Sequence, residues 1–146
     1  MNAAFLLDVN VLIAAAWPTH HAYAKVQEWL ARHVREGWAT CPLTELTFVR
    51  ILANPAFSPH ALTPRDALAL LRANLAHPMH RFWADDLGIL QALESYAPRI
   101  TGHQQFTDAY LLGLAMIRKA KLVTLDQGVR ALFATKAAEQ EFLVVI

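Results

Sequence analysis

Four acidic residues of this chain stand beside apolar segments, where buried strands or helices are expected. They are Asp8, Glu45, Asp108 and Asp126. Asp8 is the most unusual of them, because it interrupts the otherwise apolar run over residues 5–13. A carboxylate inside a protein must be paired or must bind a cation. Carboxylate oxygens are hard ligands, so the four acids predict one shared site for Mg²⁺ or Mn²⁺ rather than for zinc.

Each acid also has a simpler structural explanation. Glu45 and Asp108 each follow a threonine at the start of a predicted helix, where a negative charge gains about 0.3 to 1 kcal/mol from the helix dipole. Asp126 precedes a glutamine and a glycine, so it can serve as a turn residue. Asp8 has no turn signal around it, and the joint pattern favours the metal site.

Short apolar segments alternate with amphipathic ones along the chain. Strands are predicted over residues 5–7, 38–41, 80–83, 121–125 and 142–146, and helices over residues 9–16, 22–35, 42–53, 64–75, 87–93 and 108–119. Such alternation is typical of a three-layer α/β/α fold with a short, mainly parallel central sheet. The absence of repeats and linkers from the sequence predicts a single domain over residues 1–146.

This fold class predicts where the acids meet. Ligands of open parallel sheets bind outside the carboxyl ends of the strands. That edge would receive Asp8, Glu45 and Asp126, and Asp108 would join them if its helix begins there. Neighbouring carboxylates raise one another's pKa unless a cation holds them ionised. Asn10 is expected to bond the Asp8 carboxylate or a water on the ion, or alternatively to cap the first helix.

The composition indicates a globular protein of the cytoplasm. Hydrophobic residues make up 55% of the chain and charged residues 17%, yet no apolar run reaches the roughly 18 residues that span a bilayer. The single cysteine, Cys41, excludes an internal disulfide and a cysteine cluster for zinc. The 13 basic and 12 acidic residues nearly balance. If a cation neutralises the four acids, however, the remaining charge suits a polyanion.

Other chemistries find little support in the sequence. The five glycines form no phosphate-binding loop, and no nucleophile elbow surrounds a serine or the cysteine. An aspartyl-phosphate phosphatase would want a second acid at position 10, where Asn10 stands. The seven histidines, including His77 and His80, are expected on the surface or in loops. Among them His103, just before Asp108, is a candidate for a substrate contact.

Several segments together resemble the PIN-domain nucleases. They are LLDVNVLI at residues 6–13, TDAYLL at residues 107–112 and LVTLD at residues 122–126, in that order along the chain. Residues 44–55, TELTFVRILANP, and GHQQ at residues 102–105 resemble more narrowly the VapC toxins of bacterial toxin–antitoxin pairs. The resemblance covers essentially the whole chain.

The resemblance implies an endoribonuclease that depends on Mg²⁺ or Mn²⁺. Family members of this kind cut structured RNA, often transfer or ribosomal RNA, are held inactive by a small antitoxin, and form homodimers. By position, Asp8 and Asp108 match the principal metal ligands, Glu45 the third acid and Asp126 the fourth. Two polar residues, Asn10 and Thr124, match the helpers of these acids.

Further residues are candidates for roles beside the acids or with the substrate. Thr44 and Thr107 directly precede two of the acids, and Arg50 follows Glu45 on the same predicted helix, from which it could reach the cleft. The apolar stretches 11–17 and 48–52 are expected to leave surface for a second copy or for an antitoxin segment. The alternative function is a catalytically silent PIN-like module that binds RNA or protein, but that reading calls for degenerate acids.

Overall fold

Five strands form one central sheet in the computed structural model, which describes residues 2–146. All strand pairs are parallel, and the order across the sheet is β3-β2-β1-β4-β5. The strands are β1 (Phe5–Leu7), β2 (Trp38–Thr40), β3 (His80–Phe82), β4 (Lys121–Thr124) and β5 (Leu143–Val145). Helices cover both faces of the sheet, which confirms the predicted three-layer α/β/α class.

Seven α-helices lie between and after the strands in residues 2–146. They are α1 (Val9–Ala16), α2 (Tyr23–His33), α3 (Pro42–Leu52), α4 (Pro64–Leu75), α5 (Ile89–Leu93), α6 (Gln105–Ile117) and α7 (Lys136–Phe142). Three short 3₁₀ segments occupy Val34–Glu36, Ala97–Arg99 and Gln127–Leu132. Every strand is therefore followed by a helical segment except β5, as parallel crossovers require.

The central strand β1 is buried on both faces of the sheet, because its successive side chains point to opposite sides and helices cover each side. Leu6 of β1 packs in one core with α5 and α6. Leu7, the next residue, packs in a second core with α1, α2 and α3. Both leucines are almost fully buried. This arrangement explains why β1 is a continuous apolar run rather than an alternating one.

Three helix predictions need correction. Helix α6 begins at Gln105, three residues before the predicted start at Asp108. Asp85 does not cap α5, which begins after Gly88; its carboxylate instead accepts a hydrogen bond of 3.2 Å from the Leu43 backbone N–H. Helix α7 was not predicted, since it buries none of its residues and so lacks an apolar stripe in the sequence.

The expectation of apolar surface on the amino-terminal half holds only in part. Val11, Phe48 and Leu52 are at most 1% exposed and belong to the core, because α1 and α3 pack closely on the sheet. Partly exposed apolar side chains of the same stretches are Ala15, Ala16, Trp17, Val49 and Ile51. The large apolar side chains that are exposed lie mostly elsewhere, and they are Leu46, Phe57, Leu68, Phe82, Ile89, Leu90, Phe106 and Ile117. Among the described helices, none is both long enough and apolar enough to cross a membrane.

Gly113 allows α6 to approach α5 closely, so we predict that Gly113→Ala destabilises the protein. An added Cβ would lie 2.7 Å from the carbonyl oxygen of Ala92. Such a clash with backbone costs about 1 to 3 kcal/mol, which exceeds the gain of about 1 kcal/mol in helix propensity. Urea unfolding should therefore show a net loss on the order of 1 kcal/mol.

The matched control is Gly102→Ala, where an added Cβ meets no atom of residues 2–146 within 4 Å. Its free energy of unfolding should not fall. Equal losses in the two variants would contradict close packing of α5 on α6.

Candidate metal centre

Asp8 stands where β1 ends and α1 begins. Its backbone N–H continues the sheet by donating to the Val123 carbonyl at 2.9 Å. The side chain occupies the N-cap position of α1, and its Oδ1 accepts from the Val9 N–H at 2.7 Å. Its Oδ2 accepts from the Thr124 hydroxyl at 2.8 Å. At 4% exposure, Asp8 is thus a buried carboxylate with a hydrogen bond to each oxygen.

Thr124, the last residue of β4, is fully buried and organises the groups around Asp8. While donating to Asp8, its Oγ1 accepts from the Asn10 side-chain amide and from the Asp126 N–H, both at 3.1 Å. The other end of Asn10, its Oδ1, accepts from the Leu125 N–H at 3.1 Å. Asn10 therefore neither bonds Asp8 nor caps α1, but instead holds Thr124 and the backbone that follows β4. Its third expected role, a bond to a water on the ion, stays a prediction.

Asp108 and Asp126 lie within the electrostatic field of Asp8. Burial, followed by the charges of Asp8 and Asp126, raises the pKa of Asp108 from 3.8 to about 7. Burial also raises the pKa of Asp8, against the opposing hydrogen bonds from Thr124 and Val9, and the charge of Asp126 adds to the rise. The three carboxylates thus form one acidic group at the carboxyl edge of β1 and β4.

Asp126 also has the turn role that its sequence suggested. It is exposed and stands before the 3₁₀ segment Gln127–Leu132, where its Oδ1 accepts from the Gly128 N–H at 2.8 Å. That bond fixes one carboxylate oxygen in the turn. The structural and electrostatic roles of Asp126 therefore coexist.

Glu45 lies at the end of the neighbouring strand β2, in the first turn of α3. It is half-buried, and its Oε2 accepts from the Thr40 hydroxyl at 2.8 Å. The charges that raise the pKa of Asp8 and Asp108 come from acids other than Glu45. Glu45 is thus held at the same edge of the sheet, but apart from the three coupled aspartates.

Two of the predicted helper threonines have other roles. Thr44 is buried, and its Oγ1 accepts from the Cys41 N–H at 3.1 Å and donates to the Cys41 carbonyl at 3.0 Å. It therefore closes the start of α3 instead of contacting Glu45. Thr107 is exposed and is the third residue of α6, because this helix begins earlier than predicted, so it does not cap the helix.

Arg50 does not point toward Glu45. Five residues along a helix correspond to a rotation of about 140°, so the two side chains leave α3 in different directions. Arg50 is exposed and lines a cavity of about 290 Å³ together with Thr47, Ile51 and Asn54. That Arg50 reaches the edge of the cleft stays a prediction.

Sequence reasoning missed Thr40 and His80. Thr40 is fully buried, and its Oγ1 lies 2.7 Å from Nε2 of His80. His80 begins β3, as the predicted strand over residues 80–83 requires, but its side chain, expected on the surface or in a loop, is half-buried against the ring of Trp38, at 4.7 Å between ring centroids. One signal was available, because Thr40 ends a buried strand five residues before Glu45, and Thr124 ends one two residues before Asp126.

The donor set suits a hard divalent ion. Asp8, Asp108 and Asp126 present only carboxylate oxygens, which Mg²⁺ and Mn²⁺ prefer. A cation would offset the repulsion and the burial that raise the pKa of Asp8 and Asp108. In residues 2–146, no three or more His, Cys, Asp or Glu side chains already have the arrangement of a metal site. That all four acids share one ion stays a prediction.

Fold and site together define a parallel α/β protein with an acidic group at the carboxyl ends of its central strands. The PIN domain family model matches residues 5–133. Ribonuclease VapC38 of Mycobacterium tuberculosis (strain ATCC 25618 / H37Rv) is 47% identical over 124 residues, which are 85% of this chain and 86% of that protein. The chain therefore belongs to the PIN domain family and, within it, to the VapC group.

Other relatives agree with this assignment. In the same organism and strain, Ribonuclease VapC39 is 39% identical over 83% of this chain and 87% of its own length, and Ribonuclease VapC44 is 33% identical over 97% and 98%. A crystal structure described as VapBC2 from Rickettsia felis bound to a DNA fragment from their promoter superposes with a TM-score of 0.65. It covers 97% of this chain and 98% of its own at 12% identity, so it supports the fold alone.

We predict that Asp108→Asn stabilises the metal-free protein. Because folding raises the pKa of Asp108 from 3.8 to about 7, the ionised group costs stability: nothing below about pH 4, increasingly up to about pH 7, and fully above it. Partial exposure and screening limit this cost to the order of 1 kcal/mol. Thermal unfolding with EDTA should show the variant more stable than the wild type at pH 8 and nearly equal at pH 4.

Glu141→Gln serves as the control, since Glu141 is exposed on α7. This variant should show no comparable dependence on pH. A stability difference for Asp108→Asn that is the same at pH 4 and pH 8 would exclude repulsion at this site.

Proposed function

We propose that this protein is a Mg²⁺- or Mn²⁺-dependent endoribonuclease and the toxin of a type II toxin–antitoxin pair. One observation carries the proposal. At the carboxyl edge of the sheet, the charge of Asp126 raises the pKa of both Asp8 and Asp108, and the charge of Asp8 raises that of Asp108 further. The curated relatives of this chain are named ribonucleases. A cluster of like charges around a buried carboxylate is costly for stability alone and is typical of an ion-binding site.

Asp8 and Asp108 would be the principal residues to hold the ion, with Asp126 and Glu45 completing the site. A bound divalent ion supplies positive charge that stabilises a reacting phosphodiester and makes a nearby water easier to deprotonate. The protein's part is orientation. The Thr124 hydroxyl and the Val9 N–H fix both oxygens of Asp8, and Asn10 fixes Thr124 in turn. Such supporting partners commonly change metal affinity or activity by about 10 to 100-fold.

Glu45 would act from the other side of the same edge. Its carboxylate is held by Thr40 at the end of β2, while the aspartates are grouped at β1, β4 and α6. A phosphate lying across the strand ends would therefore have acids on both sides, one group for the ion and one for orienting water or a second ion.

The substrate and the partners follow from the VapC group. We infer RNA as the substrate, with transfer or ribosomal RNA as the class, and a small cognate antitoxin as the inhibitor. Neutralisation of the acids by a cation leaves a basic excess on this nearly neutral chain, which suits a polyanion. We further propose a homodimer that acts in the cytoplasm. All four acids are present, which disfavours a silent binding module.

We predict that RNA cleavage requires both a divalent ion and Asp8. Purified protein should cut a fluorescently labelled structured RNA with Mg²⁺ or Mn²⁺ and should stop when EDTA is added. Asp8→Asn should retain the fold, because asparagine is also a good N-cap, yet it should lower the cleavage rate at least about 100-fold. Glu141→Gln should match the wild type.

Two outcomes would count against the enzyme. Cleavage that persists in EDTA would show that the reaction needs no divalent ion. Full activity of Asp8→Asn would show that Asp8 takes no part in the reaction. Binding of the RNA without cleavage, unaffected by metal, would favour the silent module instead.

We also predict that induced expression of the wild type in bacteria arrests growth, whereas Asp8→Asn does not. The measurement is culture density after induction, with immunoblots showing equal amounts of the two proteins. Sequencing of RNA ends soon after induction would identify the cleaved RNA. Equal growth arrest by both proteins would show that toxicity does not depend on the proposed RNA hydrolysis at Asp8.

A further inference from the structure

A chain of three polar groups links β3 to Glu45. Thr40 ends β2, and its backbone carbonyl accepts from the Trp83 N–H at 2.8 Å, so the residue is fixed in the sheet. Its side-chain oxygen stands between two partners, Oε2 of Glu45 at 2.8 Å and Nε2 of His80 at 2.7 Å. Thr40 is fully buried, so water does not compete for its hydroxyl.

The direction of the hydrogen bonds follows from the count of protons. A threonine hydroxyl has one proton to donate, and an ionised carboxylate can only accept. Since Thr40 donates to Glu45, the bond between Thr40 and His80 must use a proton on Nε2 of the imidazole. The order is therefore His80 to Thr40 to Glu45, and each member fixes the direction of the next.

The arrangement around Asp8 has the same design. There Thr124, the buried last residue of β4, donates to Asp8 and accepts from the side-chain amide of Asn10. In both cases a strand-ending threonine donates to an acid of the proposed site and accepts from a nitrogen donor. His80 thus occupies for Glu45 the place that Asn10 occupies for Asp8.

His80 is itself held firmly. It pairs with Trp38 in the register of β2 and β3, and its ring lies 4.7 Å from that of Trp38. Burial, together with the charges of Arg81 and His77, lowers its pKa. A neutral imidazole with its proton on Nε2 fits a position that needs one donor toward Thr40.

We propose that His80 is a positioning residue for Glu45, acting through the Thr40 hydroxyl. The role rests on the proposed ribonuclease function, in which Glu45 is one of the acids. Without the imidazole, the Thr40 hydroxyl loses the partner that directs its proton, and the Glu45 carboxylate loses a fixed orientation. Turnover should suffer more than RNA binding, because a misoriented Glu45 carboxylate affects the chemical step, whereas His80 and Thr40 act only through that carboxylate.

The kinetic test uses His80→Phe, which keeps an aromatic ring beside Trp38 but removes the donor. We expect kcat for RNA cleavage to fall about 10 to 100-fold with KM changed little. Thr40→Val should behave alike, and Thr40→Ser, which restores the hydroxyl, should recover most of the rate. His77→Phe is the matched control, because His77 also neighbours Trp38, at 6.0 Å between ring centroids, and its rate should stay near that of the wild type.

A double-mutant cycle separates positioning from loss of fold. If His80 acts through Glu45, His80→Phe should lower the rate less than about twofold in a Glu45→Gln background. Multiplicative losses in the double variant would overturn the proposal. So would a wild-type rate for His80→Phe in a preparation whose parent protein cuts RNA.

A spectroscopic test does not depend on activity. Nitrogen-15 spectra of the imidazoles should show His80 protonated on Nε2 in the wild type, and this signal should shift in Thr40→Val but remain in His77→Phe. A His80 protonated on Nδ1 alone would overturn the proposal whatever the enzyme does. If the wild type cuts no RNA, the proposed function fails, and these spectra still decide whether the hydrogen-bonded chain exists.

Discussion

The hydrogen bond from Thr124 to Asp8 is the interaction on which the site depends. Asp8 is buried where β1 turns into α1, and burial alone would favour its neutral form. The bonds from Thr124 and Val9 oppose that effect and aim the carboxylate. Because Thr124 is the last residue of β4, the bond exists only when β1 and β4 pair in their parallel register. The parallel pairing of β1 with β4 therefore also fixes the orientation of the Asp8 carboxylate.

The remaining acids show how unevenly the charge is distributed along the edge. Burial, followed by the charges of Asp8 and Asp126, raises the pKa of Asp108 to about 7. Glu45 is separate and is held by Thr40, whose hydroxyl also contacts His80. Ionisation of the clustered aspartates lowers the stability of the metal-free protein, whereas the Glu45 carboxylate accepts a hydrogen bond from Thr40. This division is consistent with a site in which a cation belongs among the aspartates.

Much of this could be predicted from the sequence, because apolar runs and helix signals are local. The five strands, the α/β class and the unusual position of Asp8 are visible as patterns of residue type. The start of α6 was missed because Thr107 resembles a cap, although the helix begins at Gln105, whose side-chain oxygen accepts from the Thr101 and Gly102 N–H groups. His80 was misjudged for a deeper reason. Its partner Thr40 is 40 residues away, and no periodicity in a single sequence reports which strands become neighbours.

The bond between Thr124 and Asp8 joins residues 116 positions apart in the chain. The acidic site is therefore expected to form late in folding. Contacts so distant in the chain must wait for the intervening loop to close, and they slow folding relative to local contacts. During translation, a nascent chain that ends before β4 cannot complete the acidic edge, however well its first helices form. A chain without β4 would lack Thr124 and therefore could not hold the Asp8 carboxylate in the orientation described.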